Sequence, residues 1–403
     1  MVLPGLGPFR RWLRMQLLRR AIVLGLSALA ALLLVEVGMR VFILPYYWRP
    51  LPPFGALTNE SQRTWLERQK QELAGAPPTE IGAFDPVLGW APRPGAQQGG
   101  GSTTIHARGW RGRRDYPLPV APGVTRLAAF GDSYTFCTEV PDDAAWEGQL
   151  EALDPGLEVV NMGMGGYGTD QALLRAEREL PGLGAELVLV GLLPENIGRN
   201  VTRYRPRWSP ESYSPLVKPR FVLENGELVL VPLPFSDRAS MVRAIESGDV
   251  LELLAEHEHW NDEPVSPLLA WSALARLFGA RIAYHRRVVD PLWLERGEPF
   301  HLMLAILDRF REVARASGGR DAAVLIFPAK PDIELLLRGE PGYWTTLFPE
   351  LERRGTPYLD LCAPLLEAAR ASSIEEIYGF THLSRLGNAV VAQAILAWLR
   401  ERG

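Results

Sequence analysis

Cysteine is almost missing from this sequence. Its 403 residues include two, Cys137 and Cys362, too few for a disulfide framework or a cysteine-rich metal site. Each reads as a small buried residue, and nothing in the sequence supports a bridge between them. Strong charge of one sign is also missing. A formal net charge of −4 gives no general attraction for nucleic acid, and neither arginine–aromatic interleaving nor zinc-type spacing supplies one. Metal-ligating clusters are equally scarce. In HEHW, His257 and His259 stand two apart, so on a helix they would not share a face, and no third ligand is near; a solvated helical face is the simpler reading. His106, His285 and His301 are isolated. No metal and no cofactor is expected, and no internal repeat is visible.

Apolar sequence is plentiful. It makes up 47% of the chain, enough for a sizeable core in one large domain or two ordinary ones. Near the N-terminus, Arg10, Arg11, Arg14, Arg19 and Arg20 precede a run that is uncharged from Ala21 to Val35. Glu36 and Arg40 interrupt its end, placed i and i+4 so that they could pair on one helical face. Leu17 to Leu44 is long enough to cross a bilayer, which takes roughly 20 residues. The arginines should stay cytoplasmic, and Tyr46, Tyr47 and Trp48 suit the far interface. A cleaved signal peptide is the nearest rival, but no small-x-small site follows the run. A buried soluble helix is the third reading. The expected organisation is a basic cytoplasmic N-terminus (1–20), a transmembrane anchor (21–44), a connector (45–120) and an exported domain (121–403). The expected location is thus a single-pass membrane protein with its N-terminus cytoplasmic and its main domain outside.

The connector is punctuated by prolines. It contains a candidate exposed helix in NESQRTWLERQKQELAG, an apolar patch in FDPVLGWAPRPG that should pack on the main domain, and a stretch, QQGGGS (97–102), that should be flexible. From Arg126 a new rhythm starts. Apolar runs at 126–130, 157–162, 186–193, 322–328 and 357–362 alternate with helical patterns such as 169–182, 299–318 and 384–403. The runs are continuously apolar, which suits parallel strands buried on both faces. Strand–helix alternation predicts a three-layer α/β domain with a parallel five-stranded sheet. An insertion at about 201–297, after strand three, breaks the rhythm. It holds a hairpin at 218–234 turning at Asn225-Gly226, and then mostly helical pattern, a candidate cap over the strand ends.

Ligands in such folds bind beyond the C-terminal ends of the strands. There the chain places Gly131-Asp132-Ser133, with a helix expected to follow, then the glycine-rich NMGMGGYG (161–168), then Asn196 in GLLPENIGRN, and finally His382 before the last helix. Gly-Asp-Ser alone is ordinary turn chemistry. The four together offer a nucleophile, a two-part oxyanion hole and a general base. RYRPRW (203–208) could grip an anionic or sugar group, although anchoring the insertion is the favoured reading. Arg111, Arg113 and Arg114 read as surface charges.

These four blocks resemble those of the SGNH or GDSL hydrolases, over roughly residues 126–200 and 320–403. Gly131-Asp132-Ser133 is similar to the nucleophile block, Asn161 to Gly166 to the second, Pro194-Glu195-Asn196 to the third, and Thr381 to Asn388 to the last. The resemblance implies a flavodoxin-like α/β/α fold and serine ester chemistry. Ser133 would attack, His382 would take its proton, and the N–H groups of Ser133 and Gly166 with the Asn196 amide would hold the oxyanion. Two departures follow. The family's Asp, three residues before the His, is Gly379 here; Glu376 or Glu375 could substitute, although SSIEE also reads as an ordinary helix start, or a backbone carbonyl could orient the ring. The third block usually reads Asn-Asp, so a slip of one residue would put Glu195 in the asparagine position. The implied substrate is an ester or an acylated glycan or lipid, with no nucleic acid. Acyl transfer to a polysaccharide, and a catalytically inactive anchored glycan-binding or assembly module, are the alternatives.

Overall fold

The computed structural model describes residues 6–43, 49–50, 56–57, 60–75, 81–208, 217–259, 272–275 and 297–402. Tyr46, Tyr47 and Trp48, His285, and much of the insertion lie outside the described residues.

Helix α1 (Leu6–Gly38) continues into a single π turn, Met39–Ile43. It is long and apolar enough to cross a membrane. Leu17, Leu24, Leu34 and Val37 point outward instead of packing into a core. Glu36 and Arg40 do pair, with Arg40 Nε donating to Glu36 Oε1 at 2.7 Å. The same carboxylate accepts the amides of Ala273 and Leu274 and the hydroxyl of Ser272, which ties the end of the helix to the insertion.

Helix α2 (Glu60–Leu73) forms where a connector helix is expected, but it is not an exposed one: Trp65 and Leu66 are buried in a core shared with the insertion. The apolar patch that follows is an antiparallel hairpin, Gly82–Asp85 with Gly89–Pro92, and it buries Leu88 and Trp90 against the main domain. The glycine-rich stretch is not a free linker. Gln97–Gln98 pairs with Thr103–Thr104, Arg113 donates to the Gly101 carbonyl, and the Asp142 amide donates to that of Ser102.

The main domain is built on five strands: β1 (Thr125–Phe130), β2 (Leu157–Asn161), β3 (Leu187–Leu192), β4 (Asp321–Ile326) and β5 (Tyr358–Asp360). All pair in parallel, in the order β2-β1-β3-β4-β5. This is the flavodoxin-like three-layer α/β/α arrangement, and its switch point lies between β1 and β3. The unbroken apolar runs follow from burial on both faces. In β1, Leu127 and Ala129 join one core and Ala128 and Phe130 the other. Helices α4 (Thr169–Glu179) and α5 (Glu298–Ala316) cover one face; α3 (Trp146–Leu153), α6 (Cys362–Ala371) and α7 (Arg385–Arg402) cover the other. Cys137 and Cys362 are both free and buried, as expected.

The hairpin after β3, Arg220–Glu224 with Glu227–Val231, turns at Asn225-Gly226 with φ of 53° and 87°. Both central residues are left-handed, as such a two-residue turn requires. One expectation fails: no helix follows Ser133 directly. Residues 133–139 form consecutive turns, and α3 starts only at Trp146.

Candidate active site

Ser133 leaves the C-terminal end of β1. Glycine is required at 131, since a Cβ there would sit 2.2 Å from Thr135 Oγ1 and 2.8 Å from the Gly191 carbonyl. Asp132 is fully buried. Its Oδ1 accepts the Tyr134 amide at 2.9 Å and its Oδ2 accepts Arg199 Nη1 at 3.3 Å, so Asp132 does the turn work that its residue type predicts. The chain then runs to Glu139 through two left-handed residues, Cys137 (φ 54°) and Glu139 (φ 77°). Non-glycine residues rarely adopt this conformation, and such strain gathers at functional sites.

The buried side chain of Arg111 holds that turn in place. Its guanidinium donates to the carbonyls of Phe136, Cys137 and Val140 and to Asp142 Oδ1. The surface position expected for Arg111 is therefore wrong. It lies inside, because three main-chain carbonyls bent out of regular structure need donors.

The turn delivers Glu139 to the last block. Glu139 Oε1 lies 2.9 Å from His382 Nδ1. The same carboxylate accepts the Phe380 amide at 2.8 Å and the Thr381 hydroxyl at 2.7 Å. Burial pushes the Glu139 carboxyl up, but the hydrogen bonds from His382 and Thr381 outweigh it and hold the group below the usual carboxylate range. With Nδ1–H facing a carboxylate, Nε2 keeps its lone pair free for a proton. The space beside Gly379, where the resemblance leads to an Asp, is filled by Glu139, since a Cβ on Gly379 would sit 2.8 Å from Glu139 Oε2. Glu376, expected as the orienting carboxylate, is not on His382 Nδ1. It lies in the first turn of the short helix Ile374–Ile377, exposed, with its amide capped by Ser373 and its carbonyl accepting the Ser384 hydroxyl. Glu375 lies in the same turn.

Tyr134, next to Ser133, joins the two blocks. Its hydroxyl donates to the Thr381 carbonyl at 2.9 Å, and its ring centroid is 5.1 Å from that of His382. Among the described residues no hydrogen bond links Ser133 Oγ to His382 itself. Such bonds are commonly long without substrate and tighten on binding.

The second block bends back beneath the turn after Ser133. Asn161 Nδ2 donates to the Thr135 carbonyl and Asn161 Oδ1 accepts the Gly163 amide. A Cβ on Gly163 would meet the Phe136 amide at 2.4 Å, so only glycine allows this approach. Gly166 is left-handed, φ 81°. Its carbonyl accepts Arg205 Nη1 at 3.1 Å, while the Gly165 carbonyl accepts Trp90 Nε1 at 3.0 Å. Both carbonyls are thus turned to partners outside the loop.

In the third block the Asn196 side chain is buried, 1% exposed. It lies near the Asp132 carboxylate, yet neither its Nδ2 nor its Oδ1 has a partner of good hydrogen-bond geometry. Glu195 pairs with Arg199 and lies close enough to His382 to feel its charge. Burial raises the Glu195 carboxyl, but Arg199, Arg205 and His382 outweigh this and hold it low. Burial, with Arg199 nearby, pushes Arg205 down to about 10.

RYRPRW mainly anchors the insertion, as favoured from sequence. Arg203 donates to the carbonyls of Glu256 and Pro232, Arg207 to that of Leu251, and the amides of Arg203 and Tyr204 to Glu258. Glu258 of HEHW is therefore a structural acceptor. His106 stacks on Trp110. Sequence reasoning passed over Glu139 and Arg199, and misjudged Arg111. An acidic residue six positions after the serine has no regular spacing to mark it.

No protein-family model and no curated protein matches the chain. Solved structures with a similar fold include an alpha/beta hydrolase from the metagenome of Lake Arreo (14% identity, covering 68% of this chain and 94% of that one, TM-score 0.35). They also include a catalytic mutant of the acetylxylan esterase Axe2 from Geobacillus stearothermophilus (13%, 68% and 93%, TM-score 0.33). A member of the lipolytic protein G-D-S-L family from Veillonella parvula is similar too (12%, 68% and 97%, TM-score 0.32).

Proposed function

We propose that this chain is a serine-dependent ester hydrolase, held at a membrane by α1 with its main domain outside the cytoplasm. The observation that carries this reading is the Glu139–His382 pair, closed by Tyr134 onto the turn that bears Ser133. An imidazole fixed through Nδ1 is arranged to act as a base through Nε2. In the proposed reaction His382 takes the Ser133 proton as Oγ attacks the acyl carbonyl. The N–H groups of Ser133 and Gly166, and the buried amide of Asn196, receive the oxyanion. His382 then protonates the leaving alcohol, and water releases the acyl group. Glu139 orients the ring and balances the imidazolium. This chemistry needs no cofactor.

The test is labelling of the full chain, in detergent or nanodiscs, with a fluorophosphonate probe, beside Ser133→Ala and His382→Ala. Labelling of the wild type, lost in both variants, is the expected result. Folded wild-type chain that does not label overturns the hydrolase reading. Recovery in the membrane fraction after an alkaline carbonate wash tests the anchor, and recovery in the soluble fraction counts against it.

A further inference from the structure

From Leu17 to Val35 the residues of α1 are exposed. Then Glu36, Met39 and Arg40, spaced i, i+3 and i+4 on one face, turn inward, and Glu36 is only 8% exposed. What meets Glu36 is a short piece of the insertion. Its carboxylate accepts the Ser272 hydroxyl at 3.0 Å and the amides of Ala273 and Leu274 at 2.6 and 3.1 Å. Ser272 Oγ in turn accepts the Ala275 amide at 3.1 Å, which closes residues 272–275 into a turn. The other sides of α1 stay open and apolar at this level: Val35, Val37, Val41 and Phe42 are exposed, Phe42 by 73%.

The level of this contact decides what surrounds it. Arg20 is the last charge before the apolar run, and Glu36 stands 16 positions further on, about 24 Å along a helix. The hydrocarbon core of a bilayer is about 30 Å thick. With Arg20 at the cytoplasmic boundary, Glu36 is still inside that core, and Val37, Val41 and Phe42 face lipid. A carboxylate at this depth needs a counter-ion and hydrogen-bond donors. Arg40 supplies the first, and residues 272–275 supply the second. A segment that bonds Glu36 has to reach the depth of Glu36. We infer that the insertion enters the outer leaflet beside α1 at residues 272–275 and forms a second contact with the bilayer. The inference rests on the reading of α1 as a membrane span. The neighbouring sequence has the matching composition, with Leu268, Leu269, Trp271, Leu277 and Phe278 around Arg276; apolar and basic residues together suit the headgroup boundary. A single helix sets only how far a domain lies from the bilayer. A second contact on the insertion also sets which side faces it, namely the C-terminal ends of the strands, from which the insertion departs after β3.

The test is fluorescence quenching of the full chain in nanodiscs whose lipids carry a nitroxide on the acyl chain, near the headgroup. Cys137 and Cys362 are both buried, so a bimane probe on an introduced cysteine reports that position alone. Leu274→Cys should lose emission as Phe42→Cys does. Ala275→Cys should lose it too, which guards against misfolding of one variant. Ala316→Cys, exposed at the end of α5 beside the N-terminal end of β4, should stay bright. Folded Leu274→Cys and Ala275→Cys chains as bright as Ala316→Cys, with Phe42→Cys quenched, overturn the docking and leave α1 as the anchor. An unquenched Phe42→Cys overturns the membrane span, and the docking falls with it.

Discussion

Glu139 Oε1 and His382 Nδ1 lie 2.9 Å apart although 243 positions separate them in the chain. Two backbone features make this possible: the left-handed turn at Glu139 and the missing side chain at Gly379. In the proposed site the carboxylate facing the histidine thus sits on the loop of Ser133 and not on the histidine's own loop, where the sequence reading places it.

That relocation can be reversed. Glu139→Gln should lose about 10³–10⁴-fold in kcat, as expected when the imidazole is held in the wrong tautomer. Gly379→Asp alone should also reduce activity, because it forces a second carboxylate against Glu139. In a Glu139→Ala background the same Gly379→Asp change should recover part of the lost rate. A purely structural Glu139 would not be rescued in this way, so a double variant no better than Glu139→Ala would defeat the assignment.

Arg111 is expected to matter through Glu139. Replacing it with Met leaves the carbonyls of Phe136, Cys137 and Val140 without their donor. Unsatisfied buried groups cost about 1–3 kcal/mol each, so Arg111→Met should unfold several degrees below the wild type. Its fluorophosphonate labelling should slow at temperatures where it remains folded. Unchanged thermal unfolding would show that the turn is held by other contacts.

The sheet was legible because its strands are buried on both faces, and continuous apolar runs are a strong local signal. Ser133, Gly166 and Asn196 fall just after β1, β2 and β3, where the apolar runs led to them; His382 instead follows the short helix Ile374–Ile377. Glu139 was not legible, since it reaches His382 through two residues in left-handed backbone, and single-residue backbone strain leaves no periodic trace in sequence. Arg111 was misjudged for a related reason. A charged residue among other arginines reads as surface, and its burial depends on carbonyls 25 to 29 positions away that only the folded turn exposes. Glu376 was attractive for being near in sequence, where the helix dipole already explains acidic residues.

The third block offers a choice between neighbours. Asn196→Ala should lower kcat about 10²–10³-fold with little change in KM, the usual cost of losing one oxyanion donor. Glu195→Gln should stay within a few-fold of wild type, because its carboxylate is paired with Arg199. Steady-state kinetics on a short ester distinguishes them. The reverse pattern, with Glu195 critical and Asn196 dispensable, would assign the hole to residue 195.

Glu147 gives a prediction about stability instead of rate. It is buried beside Cys137, with Oε2 3.3 Å from Sγ, and its Oε1 has no hydrogen-bond partner. Burial raises its carboxyl from 4.5 to about 8, although Arg111 pulls the other way. The folded state therefore holds this proton more tightly than the unfolded state does. It follows that Glu147 makes the protein less stable as pH rises from about 4.5 to about 8, and that the loss is complete above that range. Glutamine has the same shape and no charge to bury. Glu147→Gln should unfold close to the wild-type temperature near the acid end of that window and several degrees higher above its alkaline end. Thermal unfolding of both proteins across the window reads this directly. Parallel curves would mean that Glu147 is already charged in the folded protein, with Arg111 as its counter-ion.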